Sequence, residues 1–206
     1  MTEQDARDWI EARFGSERTT LLARFADRIV AEAANQNLIA ASTIDHIWER
    51  HLLDSAQLVP MTDGAGDGDW IDIGSGAGFP GIVAAILTDR RVVLVEPRAR
   101  RATLLGEMAS NLGLRNVVVH KAMIEKLPTD RPAAIITARA VARLAALFAI
   151  GHRHSDPDTL WVLPKGRSAA EELAEAQAEW RGMFHVEQSI TDPTSSVVVA
   201  RGVRRA

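Results

Sequence analysis

Apolar positions along this chain follow two different periods. In the first sixty residues they recur at helical spacing. Leu21, Leu22, Phe25, Ile29 and Leu38 form one such series, and Ile44, Ile47, Trp48, Leu52 and Leu58 form another. Ser42 followed by Asp45 predicts a capping box for the second series. A glycine- and aspartate-rich stretch at 61–68 then breaks the pattern. From Trp70 onward, short apolar runs alternate with helical patterns. Strands are predicted at 70–73, 92–95, 117–119, 133–136 and 160–163. A helix carries Leu104, Leu105, Met108 and Leu112 on one face and closes at Gly113. A second spans 168–180, with Ser168 and Glu171 as its capping box. Residues 184–190 and 197–199 have no helix between them and read as an antiparallel hairpin.

Alternating strands and helices predict an α/β fold, a doubly wound and mostly parallel sheet ending in an antiparallel hairpin. Residues 1–60 form an N-terminal helical extension packed on this core. Residues 69–206 form the main domain.

Composition narrows the chemistry. The chain has 206 residues, 47% of them hydrophobic and 25% charged, with a formal charge of −3. It has no cysteine, which excludes disulfides, thiolate metal sites and any cysteine nucleophile. The opening MTEQDARDW lacks the basic start and apolar core of a signal peptide. No apolar run is long enough to span a bilayer. These features predict a cytoplasmic protein without membrane association. A net negative charge argues against coating nucleic acid by charge alone.

The strongest local signal is Asp72-Ile-Gly-Ser-Gly-Ala-Gly-Phe-Pro-Gly81, between a strand and the helix at 82–87. Gly74, Gly76 and Gly78 allow a tight turn and close approach of a ligand to the backbone. Glu96 ends the next strand, where a carboxylate can accept both hydroxyls of a ribose. A nicotinamide dinucleotide would use the same acid but favours a bare helix N-terminus for its pyrophosphate. S-adenosylmethionine carries no phosphate and has cationic groups. Asp72, an acid beside the glycines, therefore favours the methyl donor. Ile124 and Glu125 follow the third strand, at the position that borders the adenine in this fold.

With no cysteine, covalent attack on a pyrimidine is excluded. The Asn/Asp-Pro-Pro-aromatic motif of exocyclic amine methyltransferases is also missing. His152 and His154 flank Arg153 in a predicted loop and do not suggest a metal site. What remains attractive is transfer to an atom that is already nucleophilic. Guanine N7 has a free lone pair beside O6 and needs little beyond in-line positioning. Arg139 and Lys165 end adjacent strands and are candidates to fix the base.

These motifs resemble the ribosomal small subunit methyltransferase G family, also called glucose-inhibited division protein B. The matching pieces are Arg50-His-Leu-Leu-Asp-Ser55, the glycine loop with its Phe-Pro-Gly continuation, Glu96, Arg100-Arg101, Ala138-Arg139-Ala140 and Leu163-Pro-Lys-Gly166. They run from about Asn37 to Gly166 in family order. The resemblance implies methyl transfer from S-adenosylmethionine to guanine N7 of 16S ribosomal RNA. By position it implies cofactor contacts at Gly74, Phe79, Ile124, Glu125 and Arg139, with Glu96 on the ribose and Lys165 near the RNA. It also suggests that His51 locks the extension onto the sheet, with Asp54 as partner. The chain departs from the family pattern ahead of residue 40, where Ile39 replaces a threonine and no Trp precedes Asn37, and in having Glu96 where relatives often have Asp.

Arg98, Arg100 and Arg101 open a helix, where cations oppose the dipole. This placement suggests contact with RNA phosphates. The expected partner is 16S ribosomal RNA or the small subunit, engaged by a monomer. The alternatives are a related methyltransferase acting on another RNA or a small molecule, a nicotinamide oxidoreductase, and an assembly factor that binds the methyl donor without catalysis.

Overall fold

The computed structural model describes residues 1–33 and 35–206. Helices α1 (Glu3–Phe14) and α2 (Ser16–Ala33) open the chain. Thr2 and Asp5 cap α1 reciprocally, each side chain accepting the other's backbone N–H. The next helical segment changes its hydrogen-bond period along its length. It is a 3-10 helix at Ala41–His46, a π-helix at Trp48–Leu53 and an α-helix, α3, at Asp54–Ala56. Ala40 rather than Ser42 precedes this segment, and no side chain caps it, so the expected Ser42–Asp45 box does not form. Glu3 compensates from α1. Its two carboxylate oxygens accept the N–H groups of Trp48 and Glu49 at 3.0 and 2.9 Å.

Seven strands follow: β1 (Trp70–Ile73), β2 (Val92–Val95), β3 (Val117–His120), β4 (Ile135–Ala138), β5 (Leu160–Lys165), β6 (Trp180–Gln188) and β7 (Ser196–Arg205). Between them lie α4 (Gly81–Leu87), α5 (Ala99–Asn111), α6 (Leu144–Gly151) and α7 (Ala169–Glu179). The sheet order is β3-β2-β1-β4-β5-β7-β6. The first five strands are parallel, and β7 runs antiparallel to both β5 and β6. This is the doubly wound sheet with a terminal hairpin expected from the sequence. The fourth strand lies two residues later than its apolar pattern suggested, and the hairpin strands are longer. Ser168 does not form the predicted box with Glu171; its hydroxyl bonds Glu172 at 2.8 Å.

Period-two alternation divides β1 between two cores. Trp70 faces one core, built with Leu22, Phe25, Leu52 and Ile82 from the N-terminal helices and α4. Ile71 and Ile73 face the other, built with Phe148, Trp161 and Trp180. The chain winds outward from β1 to β3 and then returns to β4. The carboxyl ends of β1 and β4 therefore flank the point where winding reverses, the usual ligand crevice of such sheets.

Candidate functional site

The turn after β1 holds its glycines for three different reasons. Gly74, Gly76 and Gly78 have φ of +68°, +56° and +99°, a region that disfavours a side chain. A Cβ on Gly78 would lie 2.8 Å from Ile82 and 3.1 Å from Phe25, so this glycine faces the core. A Cβ on Gly74 would lie 2.6 Å from Val141 in the loop after β4. Only Gly76 is open, with nothing closer than 3.6 Å. Of the three glycines expected to touch a ligand, Gly74 and Gly76 are half-buried, with Val141 on the Cβ side of Gly74 only, and Gly78 is buried in packing. Gly81 belongs with Gly78. A Cβ there would strike Leu94 and come within 2.7 Å of Asp72 Oδ2, so its absence lets α4 lie directly on the sheet.

Glu96 is 3% exposed at the end of β2. Oε2 accepts the Gly76 N–H and Oε1 the Arg98 N–H, both at 2.9 Å. One carboxylate thus ties the open glycine to the start of α5, and each oxygen keeps a second lone pair for a ligand. Ile124 is buried and Glu125 exposed beyond β3. The His152–His154 turn, predicted as a loop, braces them. His154 donates from Nε2 to the Ile124 carbonyl at 2.9 Å and accepts from Thr129 at Nδ1. Both nitrogens are used as in neutral imidazole, and burial holds the pKa of this ring below its usual value.

Asp72 occupies a different place from the one its sequence position suggested. The carboxyl group is wholly buried beneath Gly81 rather than facing the crevice. The Trp70 indole donates to Thr137 Oγ1 at 2.9 Å, and Thr137 donates to Asp72 Oδ1 at 2.8 Å. Cross-strand register makes this possible, because Asp72 pairs with Thr137. Asp72 Oδ2 has no hydrogen-bond partner among the described residues. Burial pushes the pKa of this carboxyl up to about 6, against the lowering effect of its hydrogen bonds.

Arg139, at the end of β4, gathers residues from distant parts of the chain. Nη1 pairs with Asp54 Oδ2 at 3.1 Å. Nη2 lies 3.2 Å from His51 Nδ1, and the guanidinium sits 5.1 Å over the Phe79 ring. Thr43 donates to the Ala40 carbonyl, so His51 Nε2–H donates to Thr43 and Nδ1 is left to accept from Arg139. Burial, followed by the Arg139 and Arg50 charges, pushes the His51 pKa down to about 4. His51 and Asp54 were expected to pair with each other. They converge on Arg139 instead. Phe79 is 4% exposed and packs against Phe25 and His51, so its ring supports the guanidinium from the core side.

Lys165 ends β5 with its ammonium 2.9 Å from Glu172 and 2.6 Å from the Ala142 carbonyl. It holds the loop after β4 in place, and its side chain is only 9% exposed. Glu172 was not legible as its partner, because a helix-face glutamate carries no sign that it faces inward. Arg100 and Arg101 donate to the Asn35 and Asn37 carbonyls at 3.1 and 3.2 Å. They fasten the chain after α2 to the start of α5, so phosphate binding is not their only available role. Arg98 is exposed.

A family model described as rRNA small subunit methyltransferase G matches residues 18–200. A Ribosomal RNA small subunit methyltransferase G of Sphingopyxis alaskensis is 48% identical over 97% of this chain and 86% of its own length. One from Rhizorhabdus wittichii is 46% identical over 99% and 94%. Among solved structures, a SAM-dependent methyltransferase from Aquifex aeolicus superposes with a TM-score of 0.59 at 15% identity, covering 84% of this chain and 97% of its own. A mutant of MtNAS in complex with S-adenosylmethionine gives 0.59 at 18% identity, over 89% and 72%. These two likenesses concern the fold.

Proposed function

The chain belongs to the rRNA small subunit methyltransferase G family, and from that premise we propose that it transfers a methyl group from S-adenosylmethionine to N7 of a guanine in 16S ribosomal RNA. The observation that carries the cofactor assignment is the open Gly76 with its N–H held by Glu96. This pairing offers a backbone cradle that a Cβ would fill and a buried carboxylate with spare acceptor sites for a ribose diol.

When bound, S-adenosylmethionine supplies a methyl group on a positively charged sulfur. Transfer of that methyl group to the guanine N7 lone pair would require no enzyme nucleophile and no proton acceptor. What the protein must provide is alignment. Glu96 holds the cofactor side of the turn. Arg139, kept rigid by Asp54, His51 and Phe79, presents cationic N–H groups at the adjoining strand end. Lys165 acts on the same loop through the Ala142 carbonyl.

The placement of charge supports an RNA partner despite the net charge of −3. Arg98, Lys121, Arg139 and Lys165 lie at or just beyond the carboxyl ends of β2, β3, β4 and β5. Arg139 and Lys165 are paired with Asp54 and Glu172, whereas Arg98 and Lys121 are exposed and offer the positive charge for phosphate at this edge. In this reading the enzyme works as a monomer on 16S ribosomal RNA or the small subunit in the cytoplasm. No helix of the described residues is long and apolar enough to cross a membrane.

Calorimetry with S-adenosylmethionine and NAD, combined with mapping of the base methylated on small subunits, tests the reading. Binding of the methyl donor and a methyl group at guanine N7 are expected. Binding of NAD alone, or methylation of another atom, would overturn it.

A further inference from the structure

Beside the loop after β4 lies a cavity of about 460 Å³. Its walls come from five parts of the chain: residues 50–54, the loop 139–142, the end of β5 through Gly166, Glu172 of α7 and the hairpin residues 189–197. The two ends of the sequence are fastened together here. Thr191 donates to Asp54 Oδ1 at 3.0 Å, and the Gln57 side chain bonds Ser189 and the Ile190 N–H at 3.2 and 3.0 Å. The hairpin turn is thereby held as a wall facing the loop after β4.

The charges lining the cavity are balanced. Its three cations and three carboxylates form three pairs: Arg139–Asp54 at 3.1 Å, Lys165–Glu172 at 2.9 Å and Arg50–Asp192 at 3.8 Å. Interspersed with them are Ala140, Ala142, Pro164 and Val197. A cavity of paired charges and apolar patches repels a free phosphate less than it fails to reward one. It suits a flat, neutral molecule with hydrogen-bond donors and acceptors around its edge. A nucleobase has that character, and guanine has both kinds of group. The volume lies within the range for small-molecule pockets and excludes a duplex, so a base in RNA would have to leave its stack to enter. Arg50–Asp192 is the longest of the three pairs, and its side chains are 46% and 26% exposed. The inner wall is the same loop whose Val141 lies on the Cβ side of Gly74, so the cavity adjoins the turn that holds the methyl donor.

Resting on the function proposed above, we propose that this composite cavity receives the acceptor guanine after it has swung out of the RNA. The N-terminal segment and the C-terminal hairpin turn together form its binding wall. Arg139 is the shared partition, with its Nε–H and one Nη2–H lacking a protein partner among the described residues.

The test fills the cavity without touching the glycine turn. Ser195→Trp places an indole in the cavity and removes only a 3.1 Å bond to Asp192; Ser195→Ala removes that bond alone. With Ser195→Trp, S-adenosylmethionine affinity within threefold of wild type and a loss of at least 100-fold in kcat/KM on small subunits are expected. Ser195→Ala, which leaves the cavity unfilled, should lose far less than Ser195→Trp. Wild-type transfer by a folded Ser195→Trp would overturn the proposal. A second measurement needs no variant. With S-adenosylhomocysteine bound, guanosine 5′-monophosphate should shift the backbone amide resonances of residues 140–142 and 189–196. No shift there at millimolar nucleotide would overturn it too. A wild-type protein that does not bind S-adenosylmethionine refutes the function itself, which separates the two failures.

Discussion

Arg139 and Asp54 are 85 residues apart in sequence and meet at 3.1 Å, with about a fifth of each side chain exposed. Asp54 also accepts from Thr191 in the hairpin turn. One carboxylate therefore couples the N-terminal segment, the end of β4 and the C-terminal hairpin. This makes the extension part of the site.

Removing that carboxylate should affect catalysis more than folding. Asp54→Ala leaves Arg139 with His51 and the Phe79 face, and frees Thr191. Stability is expected to fall by about 1–2 kcal/mol, read by denaturant unfolding. The value of kcat should fall by at least tenfold, with S-adenosylmethionine affinity changed less than threefold. Equal losses in affinity and kcat would contradict a role in positioning Arg139.

Two buried groups should give opposing pH dependence of stability. Asp72 titrates near 6 when folded, above its usual 3.8, so its contribution falls as pH rises from about 4 to 6. His51 titrates near 4 when folded, below its usual 6.5, so its contribution rises as pH rises from about 4 to 6.5. Wild type partly hides both slopes. Asp72→Asn is expected to unmask the rise and to add on the order of 2–3 kcal/mol at neutral pH. His51→Gln should unmask the fall. Urea unfolding at pH 4.5, 5.5 and 7 checks both signs.

Glu96 is expected to act through charge as well as shape. In Glu96→Gln the amide presents N–H groups toward the Gly76 or Arg98 N–H, where only an acceptor fits. S-adenosylmethionine affinity should fall at least tenfold, about 1.4 kcal/mol. Glu96→Asp should recover part of it. Unchanged affinity in the glutamine variant by calorimetry would remove Glu96 from the cofactor site.

The glycines should separate by what lies above them. Gly81→Ala forces a methyl group against Leu94 and Asp72, with an expected cost of about 1–3 kcal/mol and a Tm lower by about 3–10 °C. Gly76→Ala meets no atom within 3.5 Å and carries only the strain of its positive φ, about 1–2 kcal/mol. Its larger effect should be on S-adenosylmethionine binding. Thermal melts with and without the cofactor distinguish the two.

Arg100 and Arg101 each have a backbone carbonyl to hold. If they also meet phosphate, Arg100→Ala with Arg101→Ala should reduce the slope of log affinity for RNA against log salt by about 1–2. A parallel slope with a lower Tm would leave them with their structural role alone.

The strand at Trp70–Ile73, the acid at Glu96 and the winding of the sheet were legible in the sequence. Each follows from local rules: apolar runs, glycines after a strand, alternation of periods. The same rules failed between residues 41 and 56. Helical spacing there is compatible with 3-10, π and α hydrogen bonding alike, and Glu3 from a separate helix supplies the cap. Local rules also could not reveal that Glu172 turns toward Lys165, or that Gly78 packs on Phe25 while Gly76 stays open.

The family, the kind of sheet and the turn on which a methyl donor would rest are written into the linear chain. Those depend on backbone conformation and on residues close together in it. Only folding in three dimensions settles that Asp72 lies sealed under Gly81, that His51 and Asp54 meet on Arg139, and that the hairpin turn closes a cavity beside it. These outcomes depend on which distant side chains burial forces to satisfy one another. A charge taken out of water must find its partner wherever the fold delivers one.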